Sequence, residues 1–300
     1  MTTQEPAASQ IKEDRFWLYR RKLGDFWRLY KRSSLGKLGL VIVLSFVVLA
    51  LAASWIAPYD PFAFVGDPFL RPTSTHILGT DQVGRDIFSR VIYGTRISLL
   101  VGLVASAMTV GLGSVMGLAS GYLGGRIDNV LMRITDLFII LPALPLMLIM
   151  ASILGKGIQN IIIVITVVGW TSTARMVRSQ TMSLKERPFT EASRAIGSSD
   201  LHTIARHIVP NVFPLVFANG MIAIVDAILS EAGLSFLGFG DPSLPSWGMV
   251  LYFANMAGAT VNGYWWYIVP PGLCIMLLVM GFAFISYSSD QILNPRLRRR

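Results

Sequence analysis

Glu191-Ala192-Ser193-Arg194-Ala195-Ile196-Gly197, followed by Ser198 through Asn211, is a polar island between two long apolar runs. Its spacing predicts two short helices meeting at a glycine. Phe189, Ala192 and Ile196 recur at helical intervals, and Pro188 stands just ahead of them, where a missing N–H costs little. Gly197 suits a left-handed C-terminal cap. Ser198 or Ser199 can accept from the unpartnered N–H groups that open the next helix. In that helix Leu201, Ile204, Ala205 and Ile208 form one apolar stripe, with Asp200, His202, Thr203, Arg206 and His207 around it. Pro210 is expected to end the unit. The product is a hook with one wet face and one oily face.

The sequence on either side is too apolar for a soluble domain. Of 300 residues 53% are hydrophobic and only 14% are charged, against about 25% charged in an ordinary globular protein. The expected fold class is an all-α polytopic membrane protein with six transmembrane helices and the hook between the fourth and the fifth. The first span runs from Leu38 to Ile56. The others cover about 97–118, 130–153, 160–177, 213–236 and 267–286, lengths that suit the hydrocarbon layer. The second is dense in Gly, Ala and Ser, which lets neighbouring backbones approach closely. Pro142 and Pro145 are placed to kink the third, and Pro270 and Pro271 are assigned to the first turn of the sixth.

Four segments follow. Residues 1–37 carry nine Lys or Arg, with Phe16, Tyr19, Leu23 and Tyr30 on one helical face; this reads as an amphipathic helix on the inner membrane surface. Residues 38–95 hold the first span and an external loop, in which Thr80 is expected to cap a short helix starting at Asp81. Residues 96–287 form the main transmembrane domain, and 288–300 a basic tail. With the N-terminus inside, the cytoplasmic segments and their span ends hold 21 of the 26 basic residues. That bias places both termini and the hook in the cytoplasm. The net charge of +9 is therefore explained by membrane orientation, without nucleic acid.

Polar groups inside spans are costly and mark pathways or structural pairs. Asp136 lies three residues from Arg133 and is expected to pair with it. Asn219, Asp226 and Glu231 share the fifth span and, with Asp136, are the pathway or gate candidates. A relay of these acids would suit an ion-coupled secondary carrier, but such carriers usually show internal repeats, and none is visible. Gly155-Lys156-Gly157 is no phosphate loop. A paired-histidine metal motif and a Gly-x-Ser-x-Gly elbow are missing. Cys274 is the single cysteine, and His76, near Asp81, has no spaced partner ligand. The chain is thus expected to have no catalytic residue, no metal and no cofactor of its own, and to draw energy from a partner or a gradient.

Three stretches, in order, carry a resemblance. Glu191-Ala192, the later Gly197 and the Ile208-Val209-Pro210 ending resemble the coupling loop of ABC importer permeases, with Ser193 where the family has a second alanine and Val209 where it has leucine. His76 through Asp86, continuing to Arg96-Ile97-Ser98-Leu99, resembles the dipeptide, oligopeptide and nickel branch of that family. So does Glu231 through Gly240 with Pro245-Ser246-Trp247-Gly248. The resemblance implies the fold of a type I ABC importer permease in a bacterial or archaeal plasma membrane. It implies a second, similar permease chain, two ATP-binding subunits that hold ATP and Mg, and an extracytoplasmic substrate-binding protein. Glu191, Ala192, Ser193, Gly197, Leu201, Ile204, Ile208 and Pro210 would form the ATPase-docking hook, its stripe facing either the partner or the spans. Di- or oligopeptide is the first substrate expectation; nickel, haem, glutathione and oligosaccharides are the alternatives in the same branch.

Overall fold

A computed structural model describes residues 33–293 together with Arg28 and Tyr30. Most of the amphipathic tail expected over 1–37 and the arginines that close the chain lie outside the described residues. Within them, every regular element is helical, apart from one isolated bridge between Thr80 and Asp86. The helices are α1 (Ser34–Ile56), α2 (Ile87–Leu123), α3 (Gly125–Ile140), α4 (Ala143–Leu154) and α5 (Ile158–Lys185). Next come the hook helices α6 (Pro188–Ala195) and α7 (Asp200–Thr203), a π-turn (Ile204–Ile208), α8 (Val209–Phe236), α9 (Trp247–Met256) and α10 (Trp265–Leu293). Among the described residues, five helices are long and apolar enough to cross a membrane, and six spans result when α3 and α4 count as one broken span.

Several elements differ from their sequence expectation, each for a local reason. The second span begins at Ile87, ten residues ahead of the apolar run, and continues for 37 residues, about 55 Å at helical rise. It outruns a hydrocarbon core of about 30 Å. It is capped by Asp86, whose carboxylate accepts from the Ser89 N–H at 2.8 Å. No helix starts at Asp81, because the Thr80 hydroxyl expected to cap it is taken by the loop: it accepts from the Leu70 N–H at 2.9 Å and donates to the Asp67 carbonyl at 2.6 Å. The Asp81 carboxylate meanwhile accepts from the Val83 and Arg85 N–H groups at 3.0 and 2.9 Å and from the Arg85 side chain at 2.7 Å. The third span is broken by 95° at Leu141-Pro142, where Leu141 is extended, as a residue before proline prefers. The sixth helix starts at Trp265, so Pro270 and Pro271 lie inside it and not in its first turn; it also runs on to Leu293, into the segment read as a tail.

Gly113, Gly117 and Gly121 recur every four residues on α2 and let α5 come close. A Cβ at each would meet the carbonyl oxygen of Trp170, Ala174 or Arg178 at 2.5–2.7 Å. Small residues at this spacing allow backbone-to-backbone packing. Apolar contacts then gather in three layers. Trp247, Trp266, Tyr267 and Phe46 lie at the loop end; Val101, Ile161, Val164 and Ala227 lie in the middle; Tyr122, Val177, Leu184, Ile208 and Val212 lie at the hook end. At the loop end Asp81 and Asp86 are buried. Asp86 pairs with His76 at 3.0 Å, and Tyr267 donates to the Gln82 side chain at 2.7 Å. His76 is thus engaged in a buried pair, with the Tyr59 ring stacked on it.

Candidate functional site: a hook and an open polar face

The hook is built by local chemistry. Pro188 occupies the first turn of α6, and Thr190 ties the entry by donating its hydroxyl to the Leu184 carbonyl at 2.8 Å. Gly197 has φ +81. Its N–H donates to the Arg194 carbonyl at 2.9 Å and the Ser198 N–H to the Ser193 carbonyl at 3.1 Å, the two bonds of a Schellman C-cap. Ser199 then caps α7 by accepting from the His202 N–H at 3.3 Å. Ser193 and Thr203, both buried, bring their hydroxyls to 3.5 Å and hold the two arms together.

Pro210 does not end the unit. The chain passes through the π-turn, where the Val209 N–H donates to the Ile204 carbonyl, and Pro210 falls at the start of α8. A proline lacks its N–H and crowds the carbonyl four residues back. A widened turn relieves both problems, so the helix continues into the membrane.

The apolar stripe is divided. Leu201 is 77% exposed and Ile196 83%, and Phe189 joins them at the surface. Ile208 is fully buried and Ile204 packs beside it against the bundle. Glu191 and Ala192 lie on the exposed side, and the Glu191 backbone N–H donates to the Arg187 carbonyl at 3.1 Å, leaving its carboxylate at the surface. The exposed cap therefore comprises Phe189, Glu191, Ala192, Ile196 and Leu201, while Ser193, Ile204 and Ile208 anchor it.

Sequence reasoning missed the base of the hook. Tyr122, on the last turn of α2, donates to the Asp200 carboxylate at 2.9 Å, and the Arg194 guanidinium lies over its ring at 5.0 Å. Lys185 donates to the Tyr122 carbonyl at 2.6 Å. Next to it Asp128 takes a bidentate pair from Arg178 at 2.5 and 2.6 Å and also accepts from Ser120. These links span 78, 63 and 50 residues. No local spacing signals these links.

The second feature is an open face along α5 and α8. A cavity of about 250 Å³ is lined by Thr109, Ser172, Thr173, Asn219, Asp226 and Ser230, with Met147, Ile165 and Ile222 as apolar wall. Asn219 donates to the Thr173 hydroxyl at 2.9 Å. Asp226 is exposed in the isolated chain, and its carboxylate makes no hydrogen bond or ion pair with any described residue. Ser172 and Arg175 are exposed one turn apart on α5. Arg175 pairs at 2.5 Å with Asp136, both about half exposed. The expected Asp136–Arg133 pair is therefore replaced by one across helices. Glu231 stands elsewhere. It is fully buried beside α2, accepting from Ser235 at 2.7 Å and Ser98 at 3.4 Å. Of the four pathway candidates, the structure brings Asn219 and Asp226 together in the cavity, puts Asp136 on the same side of α5, and removes Glu231 to the interior.

A charge at mid-bundle on a lipid-facing surface is expensive. Asp226 sits near the middle of α8, and Ser172 near the middle of α5. Such a face is built to meet protein or water. Among the described residues no group of three or more His, Cys, Asp or Glu is arranged to hold a metal ion.

Comparison with known proteins adds three findings. Residues 110–299 match the family described as the binding-protein-dependent transport system inner membrane component, and residues 22–74 match the N-terminal TM domain of oligopeptide transport permease C. The dipeptide transport system permease protein DppC of Bacillus subtilis is 34% identical over 278 residues, covering 92% of this chain and 86% of its own. The glutathione transport system permease protein GsiD of Escherichia coli is 35% identical over 277 residues (91% and 90%), and a di/tripeptide permease of Pseudomonas aeruginosa 33% over 289 residues (94% and 94%). Among solved structures, an inward-facing form of the MetNI methionine ABC transporter matches with a TM-score of 0.53 at 22% identity, covering 70% of this chain and 97% of that one. That likeness speaks to the fold.

Proposed function

The chain belongs to the binding-protein-dependent transport system inner membrane components, a family of transport permeases, and from that premise we propose that it is the permease subunit through which di- or oligopeptides enter the cell. Its working partners are a second, similar permease chain, two ATP-hydrolysing subunits and an external substrate-binding protein. The chain itself catalyses nothing and holds no cofactor; ATP and Mg belong to the ATPases. Both termini and the hook face the cytoplasm, in keeping with the basic residues gathered on that side. Glutathione is the second reading, because the glutathione permease is as similar to this chain as the dipeptide permease.

The observation that carries this reading is the exposed cap of the hook. Ile196 and Leu201 project from a segment whose other side is locked into the bundle. An apolar cap of this kind is suited to a cleft on another protein. ATP-driven closure of the ATPases would draw the hook with them, and the helices joined to it would shift between inward and outward access. The open polar face of α5 and α8 would supply half of the passage, the second permease the other half.

The test is the double variant Ile196→Asp/Leu201→Asp. It is expected to reach the membrane in normal amount, to lose co-purification of the ATPase subunits, and to reduce ATP-driven uptake of alanyl-alanine into proteoliposomes at least tenfold. Retention of the ATPases with unchanged uptake would refute the docking role. Uptake in the wild type that stops with an uncoupler while ATP remains would point to a gradient-driven carrier instead.

A further inference from the structure

The transport reading says that a passage exists; the charges along the open face say what it prefers. Arg175 and Asp136 neutralise one another at 2.5 Å. Asn219 is engaged with Thr173. Among these groups Asp226 alone keeps an unanswered charge, at the wall of a cavity that Ser172 and Ser230 also line. A carboxylate at this depth is stable only if something offers it positive charge or hydrogen bonds.

Building on the transport reading, we infer that this cavity is a transient binding site for a small solute carrying an amino group, with Asp226 as the counter-charge to its ammonium. The ammonium donates to the carboxylate in a charge-assisted hydrogen bond. Ser172 and Ser230 offer further acceptors, and Met147 and Ile165 border the space for the solute's apolar part. At about 250 Å³ the cavity falls just below the ~300–1,000 Å³ of sites for drug-sized ligands, a size for one or two amino-acid residues. A bare metal ion fits poorly. It needs several oxygen, nitrogen or sulfur ligands converging on one point, whereas the lining offers one carboxylate and neither His nor Cys.

The experiment uses the complete assembly in nanodiscs without its binding protein, with radiolabelled alanyl-alanine as the probe and N-acetyl-alanyl-alanine as the matched probe without an ammonium. Acetylation is expected to weaken binding to the wild type at least tenfold. Asp226→Asn should erase that preference and Asp226→Glu should keep it, which separates charge from shape. Co-purification of the ATPases with each variant checks folding. Equal binding of the two probes by the wild type, no saturable binding of alanyl-alanine, or a preference that survives Asp226→Asn would each overturn the site. A parallel arm measures ATP-driven alanyl-alanine uptake by wild-type proteoliposomes. An Asp226-dependent preference without uptake would sink the transport reading and leave the site standing. Uptake by the wild type with no preference at Asp226 would do the reverse.

Discussion

Tyr122 has a consequence out of proportion to its single hydrogen bond. Its hydroxyl reaches Asp200 on the hook, while its backbone belongs to the last turn of the 37-residue α2. Removing the hydroxyl in Tyr122→Phe keeps the ring beneath Arg194 and deletes one bond to a charged acceptor, worth about 1.5–3 kcal/mol. The fold should survive this. We expect normal ATPase co-purification and ATP hydrolysis, but several-fold fewer peptides moved per ATP, checked by measuring hydrolysis and uptake on the same proteoliposomes. An unchanged ratio would mean that Tyr122 does no more than brace the fold. At this scale the sequence was legible wherever cause and effect are neighbours. Pro188, Gly197 and Ser199 act within one turn, and their roles follow from backbone geometry. Asp136 with Arg175 and Asp128 with Arg178 lie 39 and 50 residues apart, and no local rule pairs them. Thr80 and Asp86 can each cap a helix, but the Thr80 hydroxyl is held by Leu70 and Asp67, and the Asp86 carboxylate is the one that receives a helical N–H.

Among elements, the tightest joint is between α2 and α5. At Gly117 an added Cβ would lie 2.5 Å from the Ala174 carbonyl and 2.8 Å from the Val177 Cβ, and backbone cannot yield as a side chain can. Gly117→Leu is therefore expected to force the two helices apart and to abolish recovery of folded protein from the membrane, read by size-exclusion chromatography in detergent. Gly111, where nothing lies within 4 Å, is the control, and Gly111→Ala should be recovered as well as the wild type. The apolar runs revealed the spans because period and length are carried by the residues themselves. Their ends were less legible. α2 begins at the Asp86 cap, ten residues ahead of the continuous apolar run, and α8 proceeds through Pro210 because a π-turn absorbs the proline. The break at Leu141-Pro142 was readable as a kink, but not its 95°.

For the whole molecule, the distribution of charge predicts a direction. On a background where Cys274 is replaced by Ser, Ile196→Cys should resist a membrane-impermeant maleimide in intact cells and react after lysis. Val261→Cys, at a position 91% exposed in the turn between α9 and α10, should react in intact cells. The opposite pattern would invert the assigned topology and with it the role of the hook. Fold and family were visible in the sequence because three motif stretches recur in order along one chain. The cavity was not, since it is assembled from α2, α4, α5 and α8, and only Asn219 and Asp226 stood out as polar residues in an apolar run.

The two helices that flank the hook are the same two that bear Ser172 and Asp226. From Asp200 to Phe236 the chain is one unbroken helical run, and from Asp200 to Asp226 it covers about 39 Å. The arrangement works as a pair of callipers: whatever grips the hinge must carry both jaws, so a displacement at one end arrives at the gap between them without any relay of side chains.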